Sequence, residues 1–188
     1  MAETITPVVH GGKRKPYLVA ALLHVAGATF AAALLGVVLG GLGAALRAPW
    51  GTATAIAVGG TALVYFLREA FRLPLPLPDR KRQVPEWWRT FFSPGVAAFL
   101  YGAGLGIGVL TYLSFGTFTA VMAGAVASGN ALTGALLCAP FGLSRALAVV
   151  AVTAAGRPVE RLDDLAESER PRLVNAAALL AVAAASLL

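Results

Sequence analysis

The feature that constrains this chain most is the long apolar segment from Gly95 to Gly156, which contains one formal charge, Arg145. A hydrocarbon core roughly 30 Å thick is crossed by about 20 apolar residues in a helix, and a soluble domain has no comparable use for a longer run. We therefore expect this segment to lie in a lipid bilayer, and the rest of the chain must fit around it.

The composition agrees with a membrane protein. Of the 188 residues, 58% are hydrophobic and 13% are charged, whereas soluble domains carry about 25% charged residues. The formal net charge is +6, but the basic residues form short clusters beside apolar segments, which is a topology signal and not a nucleic-acid surface. We expect a multi-pass protein of the inner or plasma membrane, with the lipid bilayer and other membrane subunits as partners and no nucleic acid.

Hydropathy predicts an all-α, polytopic helix bundle of about five transmembrane helices. The predicted parts are a cytoplasmic tail at 1–16, two helices within 17–67, a cytoplasmic Pro/Arg-rich linker at 68–94, and three helices within 95–188 that enclose a cytoplasmic loop at 157–172. The first apolar stretch is about twice as long as the 7–15 residues of a signal-peptide core, so we expect it to be retained as a helix.

The number of helices between residues 95 and 156 decides the topology. Two helices with a turn at 128–130 place the loop at 157–172 on the same side as the linker, whereas three place it on the opposite side. With two, thirteen of the fifteen Lys and Arg residues collect on one side, three from the tail, six from the linker and four from the loop. Because basic loops stay in the cytoplasm, two helices are preferred. The N-terminus is then cytoplasmic and the C-terminus extracytoplasmic.

The central segment also predicts an interrupted helix. Gly102 with Gly106, and Gly104 with Gly108, form two overlapping GxxxG pairs, a spacing that lets helix backbones approach closely in lipid. The polar segment at 111–117 follows, and irregular backbone at membrane depth is tolerated only where protein buries it or where it lines a wet cavity. We predict a helix break at 111–117. The alternative is a continuous helix whose hydroxyl groups bond back to carbonyls.

Arg145 is the most informative polar residue, because a guanidinium deep in a helix costs at least ~2.5 kcal/mol on insertion scales and needs a partner. One interpretation is that Arg145 pins the predicted break by donating to backbone carbonyls, and the other is that it faces a cavity as an anion site. Proline in the same helix frees a further carbonyl, that of Leu136. The candidates for such a cavity, besides Arg145, are Thr111, Tyr112, Ser114, Thr117 and Pro140.

Two other residues are candidates for chemistry. Cys138 is the only cysteine, so an intrachain disulfide, a CxxC pair and a cysteine-based metal cluster are excluded; it is either inert or reacts with a partner thiol. His24 is either a hydrogen-bonded structural residue or a proton group. All carboxylates, Glu69 among them, fall in the tail or cytoplasmic segments of this interpretation. We therefore expect no cofactor, no metal site and no catalytic constellation.

The order of features resembles the family of the cytochrome c biogenesis protein CcdA and the transmembrane domain of the thiol-disulfide transporter DsbD. Three segments resemble helices of that family. In order, the segments similar to its second, fourth and fifth helices are LHVAGATFAAALLGVVLGGLGAAL, LYGAGLGIGVLTYLSFGTF and GALLCAPFGLSRAL. The resemblance implies two inverted three-helix repeats that meet at broken helices. In the family each broken helix carries a Pro-Cys pair, and electrons pass from cytoplasmic thioredoxin to extracytoplasmic acceptors.

This chain departs from the family pattern at both Pro-Cys pairs. A first helix carrying the first pair has no counterpart here, and the second pair falls near residues 111–113, where there is no cysteine. Cys138 matches neither reactive position. The resemblance therefore implies a shared scaffold from which the dithiol relay is lost.

We expect transport-like handling of a small solute or anion on this scaffold, without enzymatic activity. One alternative is a non-catalytic structural or assembly subunit that packs through its glycine faces onto another membrane protein. A second alternative is a helper in transmembrane thiol-disulfide electron transfer, with the cysteines supplied by a partner.

The predicted topology is tested by reporter fusions in the two long polar segments. Fusions at Arg80 and at Asp163 should report the same, cytoplasmic side, because positive charge is retained there. Opposite sides at these two positions would contradict the five-helix arrangement.

Overall fold

A computed structural model describes residues 14–78, 87–108, 113, 115–156 and 168–187, which form helices and no strand. The all-α class predicted from the sequence is confirmed. The helices of these ranges are α1 (Arg14–Ala45), α2 (Thr52–Phe71), the single turn α3 (Trp88–Phe91), α4 (Pro94–Gly106), α5 (Thr117–Ala127), α6 (Ala131–Ala154) and α7 (Glu169–Leu187).

Three of the described helices, α1, α2 and α6, are long and apolar enough to cross a membrane. α4 and α5 contain 13 and 11 residues, which is less than the roughly 20 residues of a full crossing. α7 contains 19 residues and begins with a charged turn. The structure thus supports a helical membrane bundle, and the count of five spans stays a prediction.

The interruption predicted in the central segment is present. α4 ends at Gly106 and α5 begins at Thr117, and the residues described between them, 107–108, 113 and 115–116, are not helical. The candidates Thr111, Tyr112 and Ser114 lie outside the described residues. After α5, a turn at 128–130 leads into α6, and the Asn130 side chain accepts a hydrogen bond from the Thr133 N–H at 3.0 Å.

α2 is longer than predicted, and this corrects the assignment of Glu69 to a loop. The sequence interpretation ended the helix at 67, where charged residues begin, but the helix continues to Phe71. Because no helix breaker precedes Pro74, the charged residues form its last turn. Likewise, α7 begins at Glu169 and not at Leu173.

Contacts divide the chain into two compact units. Unit 1 comprises residues 1–32, 79–112 and 139–165, and unit 2 comprises residues 33–78, 113–138 and 166–188. α1 and α6 each contribute one part to unit 1 and the other to unit 2. The two units are described separately below.

In unit 1, α1 and α4 run parallel with their backbones in contact. A Cβ atom added to Gly102 would lie 2.0 Å from the His24 carbonyl oxygen, and one added to Gly106 would lie 2.0 Å from that of Ala28. The GxxxG pair formed by these glycines is therefore used within the chain, as a surface on which α1 packs. The numbers of the contacting residues rise together along both helices, which shows that the helices are parallel.

In unit 2, the later part of α1 packs antiparallel to the start of α6. A Cβ atom added to Gly36 would lie 2.1 Å from the Gly134 carbonyl oxygen, and one added to Gly40 would lie 2.2 Å from that of Asn130. α2 packs against α7 and α5. The buried residues at that contact are Ala62, Ala120, Leu179 and Ala183.

A pair of glycine substitutions separates close packing from helix propensity. Gly106→Ala should lower the free energy of unfolding by about 1–3 kcal/mol, because the new methyl group collides with the backbone of α1. Gly41→Ala is the matched control, since a Cβ atom there meets nothing within 4 Å; it should be neutral or slightly stabilising. Thermal unfolding in detergent measures both, and equal effects would contradict the packing described for α1 and α4.

Candidate functional site

Arg145 contacts the end of α4 in unit 1. Its NH1 atom donates to the Leu105 carbonyl oxygen at 3.1 Å, and its guanidinium lies 5.5 Å from the centre of the Phe141 ring. Leu105 belongs to the last turn of α4, where a cation compensates the helix dipole, and its carbonyl oxygen also accepts from the Gly108 N–H at 3.3 Å. Of the two interpretations offered by the sequence, this contact supports the one in which Arg145 stabilises the break.

Glu69 makes the corresponding contact at the start of α5, in unit 2. The residue is 3% exposed, and its Oε1 atom accepts a hydrogen bond from the Gly116 N–H at 3.0 Å. Gly116 is the residue before the first turn of α5, where N–H groups lack intrahelical partners and a negative charge is favourable. The same oxygen accepts from Arg68 NH1 at 2.6 Å, so the buried carboxylate has a charged partner.

The two ends of the interruption therefore bind side chains of opposite sign. Arg145 is positive and contacts the C-terminal turn of α4, while Glu69 is negative and contacts the backbone that leads into α5. Each sign is the one that stabilises its helix terminus. Each unit thus contains one such contact, Arg145 at the end of α4 in unit 1 and Glu69 before the start of α5 in unit 2.

Further polar side chains surround Glu69 in unit 2. The Thr117 hydroxyl donates to Asn175 Oδ1 at 2.5 Å, and Asn175 Nδ2 donates to the Pro171 carbonyl at 2.8 Å. Arg172 NH1 donates to the Glu69 carbonyl oxygen at 3.1 Å. The candidate Thr117 is accordingly one member of a network that joins α2, α5 and α7.

His24 is buried in unit 1, with 3% of its surface exposed. Its Nδ1 atom lies 3.3 Å from the Ala98 carbonyl oxygen, and since a carbonyl only accepts, Nδ1 carries the hydrogen in this contact. This bond links α1 to α4 and supports the structural interpretation of His24. The role of a proton group stays a prediction.

Cys138 and Pro140 both lie within α6. The cysteine side chain is fully buried, whereas Pro140 is exposed inside a helix that continues on both sides of it. Among the described residues, no group of His, Cys, Asp or Glu side chains could hold a metal ion.

Glu69, Asn175 and Arg172 were missed as site residues by the sequence interpretation. The absence of a proline between Leu67 and Pro74 allowed a longer α2, and this signal would have placed Glu69 in the helix. Asn175 is a polar side chain in an otherwise apolar run, which in a membrane helix indicates an interhelical hydrogen bond. The contact between Arg172 and Glu69 has no sequence signal, because the two residues belong to distant segments.

Substitution of Arg145 tests its structural role. Arg145→Met keeps the length of the side chain and removes the charged donor to Leu105, so the free energy of unfolding should fall by about 1.5–3 kcal/mol. Arg47→Met is the matched control, because that cation is exposed. Denaturant unfolding in mild detergent measures the difference; a variant as stable as the wild type would contradict the role.

Known proteins resemble this chain over most of its length. The methylamine utilization protein MauF of Paracoccus versutus is 36% identical over 129 residues, which cover 67% of this chain and 47% of MauF. MauF of Paracoccus denitrificans is 34% identical over 128 residues, which cover 68% of this chain and 46% of MauF. The chain thus spans about half the length of these curated relatives. No solved structure matches it.

The family comparison covers nearly the whole chain. The model described as "Cytochrome C biogenesis protein transmembrane region" matches residues 4–187. This confirms the resemblance found in the sequence to the CcdA and DsbD transmembrane proteins. The chain belongs to the family of cytochrome c biogenesis protein transmembrane regions.

Proposed function

We propose that this chain is a non-catalytic accessory protein that acts within a membrane complex, in the assembly or maturation of a redox enzyme of methylamine utilization. The observation that carries the proposal is the state of its one cysteine. Cys138 is fully buried inside α6. The chain keeps the family scaffold, and any thiol chemistry in the complex belongs to a partner.

A thiol-disulfide relay needs two sulfur atoms that can reach each other and an exposed thiolate that can attack. The single cysteine of this chain offers neither. The helper role considered from the sequence is consistent with this, provided that the partner supplies both cysteines. Support for methylamine utilization comes from the two MauF relatives, which share 36% and 34% identity with the chain.

We further propose a cytoplasmic N-terminus and an extracytoplasmic C-terminus. The parallel packing of α1 and α4 in unit 1 supports the tail and the linker lying on one side. In unit 2, Arg72 pairs with Glu169 at 2.8 Å, which supports the linker and the loop before α7 sharing that side. The basic residues concentrated in these segments favour the cytoplasm.

Transport-like handling of a small solute or anion is the second candidate function. The observation that favours it is the discontinuous helix with an ionisable residue at each end, a device that transporters use for binding sites. The contact of Arg145 with Leu105 supports the structural role more directly. An efflux assay in proteoliposomes loaded with chloride or phosphate distinguishes the two functions. Efflux that requires the protein and is lost in the Arg145→Lys variant would favour transport.

The accessory role predicts a specific growth phenotype. Deletion of the gene in the source organism should slow growth on methylamine but not on succinate, because only the first requires the matured enzyme. Cys138→Ala and Cys138→Ser should each restore growth fully, since the buried thiol takes no part in chemistry. The amount of protein in the membrane is the control for folding.

Two results would contradict the proposal. One is normal growth of the deletion strain on methylamine. The other is failure of both cysteine variants to restore growth although they accumulate to the wild-type amount.

A further inference from the structure

We propose that a groove between α1 and α4 in unit 1 binds one anionic phospholipid, with the phosphate at its mouth and an acyl chain along its floor. The groove has a volume of about 440 Å³ and is lined by Lys15, Pro16, Val19, Ala20, Pro94 and Gly95. The lining is almost entirely apolar and Lys15 is its one charged residue, so the chemistry it fits is an aliphatic chain that ends in an anion.

Gly95 lines the groove where the start of α4 lies close to α1. A Cβ atom at this position would lie 3.1 Å from Leu23 Cδ1, which is a tight contact. Val19 lies on the groove wall with 55% of its surface exposed. An exposed valine beside a glycine is the kind of surface that an acyl chain covers at a protein–lipid boundary.

The described part of unit 1 is complementary in charge to an anion. Its described residues, 14–32, 87–108 and 139–156, contain the cations Arg14, Lys15, Arg89 and Arg145, and neither Asp nor Glu. Arg14 and Lys15 are exposed at the start of α1, beside the groove. The first turns of α1 and α4 contain no acidic residue, so the positive ends of both helices add to the field of the two cations.

Three cations of unit 2 are in a different situation. Arg68 pairs with Glu69 at 2.6 Å, and Arg72 and Arg172 lie 2.8 and 3.5 Å from Glu169. Each of these three arginines therefore has a protein carboxylate beside it. Arg14 and Lys15, by contrast, lie at the start of a helix whose first turn holds no acidic residue.

Aromatic residues place the mouth of the groove at the level of lipid headgroups. Trp87, Phe91 and Phe92 are exposed just before α4 begins, and Trp88 packs on Tyr101 with 5.8 Å between ring centres. Tryptophan is enriched where hydrocarbon meets headgroups. In this arrangement the phosphate lies near Lys15 at the headgroup level, and the acyl chain lies beside Val19 in the hydrocarbon.

Native mass spectrometry of the full chain in mild detergent tests the site. Phosphatidylglycerol and phosphatidylcholine with identical acyl chains are titrated separately, and the wild-type protein should retain phosphatidylglycerol at least about 10-fold more tightly. The double variant Arg14→Gln, Lys15→Gln should bind both lipids equally. Val19→Trp keeps every charge but fills the groove, and it should lose the tight site as well.

Controls separate this site from general charge and from a free-anion site. Arg47→Gln removes an exposed cation of unit 2 and should retain phosphatidylglycerol as the wild type does. Inorganic phosphate should not displace the bound lipid, because it lacks the chain that fills the groove. Size-exclusion chromatography identifies the variants that fold. If either the double variant Arg14→Gln, Lys15→Gln or Val19→Trp fails to fold, the other variant tests the site.

Three outcomes would overturn the proposal. These are equal retention of the two lipids by the wild type, undiminished binding of phosphatidylglycerol by folded Val19→Trp, and displacement of the lipid by inorganic phosphate. Displacement by inorganic phosphate would show that Arg14 and Lys15 bind a free anion and not a lipid.

Discussion

The structure depends on how an interrupted helix satisfies its backbone in a solvent that offers no hydrogen bonds. Lipid cannot pair with the carbonyls and N–H groups that are released where a helix stops, so protein must do so. In unit 1 the Arg145 guanidinium contacts the Leu105 carbonyl at the end of α4. In unit 2 the Glu69 carboxylate accepts from the Gly116 N–H at the start of α5. Both charged side chains therefore form hydrogen bonds with backbone groups at the helix ends.

Close backbone contact is the second constraint. At Gly102 and Gly106 there is no room for a single added carbon atom against α1, and at Gly134 there is none against Gly36. In lipid, such packing replaces the hydrophobic effect as the force between helices. These glycine faces are used within the chain itself, and the accessory function is proposed from the buried thiol and the similarity to MauF.

Much of this fold follows from the sequence. The apolar run beyond Gly95 establishes the membrane class, the spacing of Gly102 and Gly106 predicts a packing face, and the polar segment at 111–117 predicts the break between α4 and α5. These are local patterns that helix period and hydropathy determine.

The remainder requires the folded chain. The charged pair Arg68 and Glu69 lowers the local hydropathy at the last turn of α2, so hydropathy alone predicts a loop where the structure has a helix. The choice between a carbonyl and a cavity as the partner of Arg145 depends on where α4 ends in space. Contacts between residues as distant in sequence as Glu69 and Arg172 leave no trace in local patterns.

Amide hydrogen exchange of the protein in lipid nanodiscs tests the central claim most directly, because it reports each end of the interruption separately. Replacement of Arg145 by Gln should speed exchange at Ile107 and Gly108, where α4 ends, and leave Gly116 unchanged. Replacement of Glu69 by Ala should speed exchange at Gly116, whose N–H loses its acceptor. Unchanged exchange at these amides in both folded variants would show that the two charges do not stabilise the broken helix.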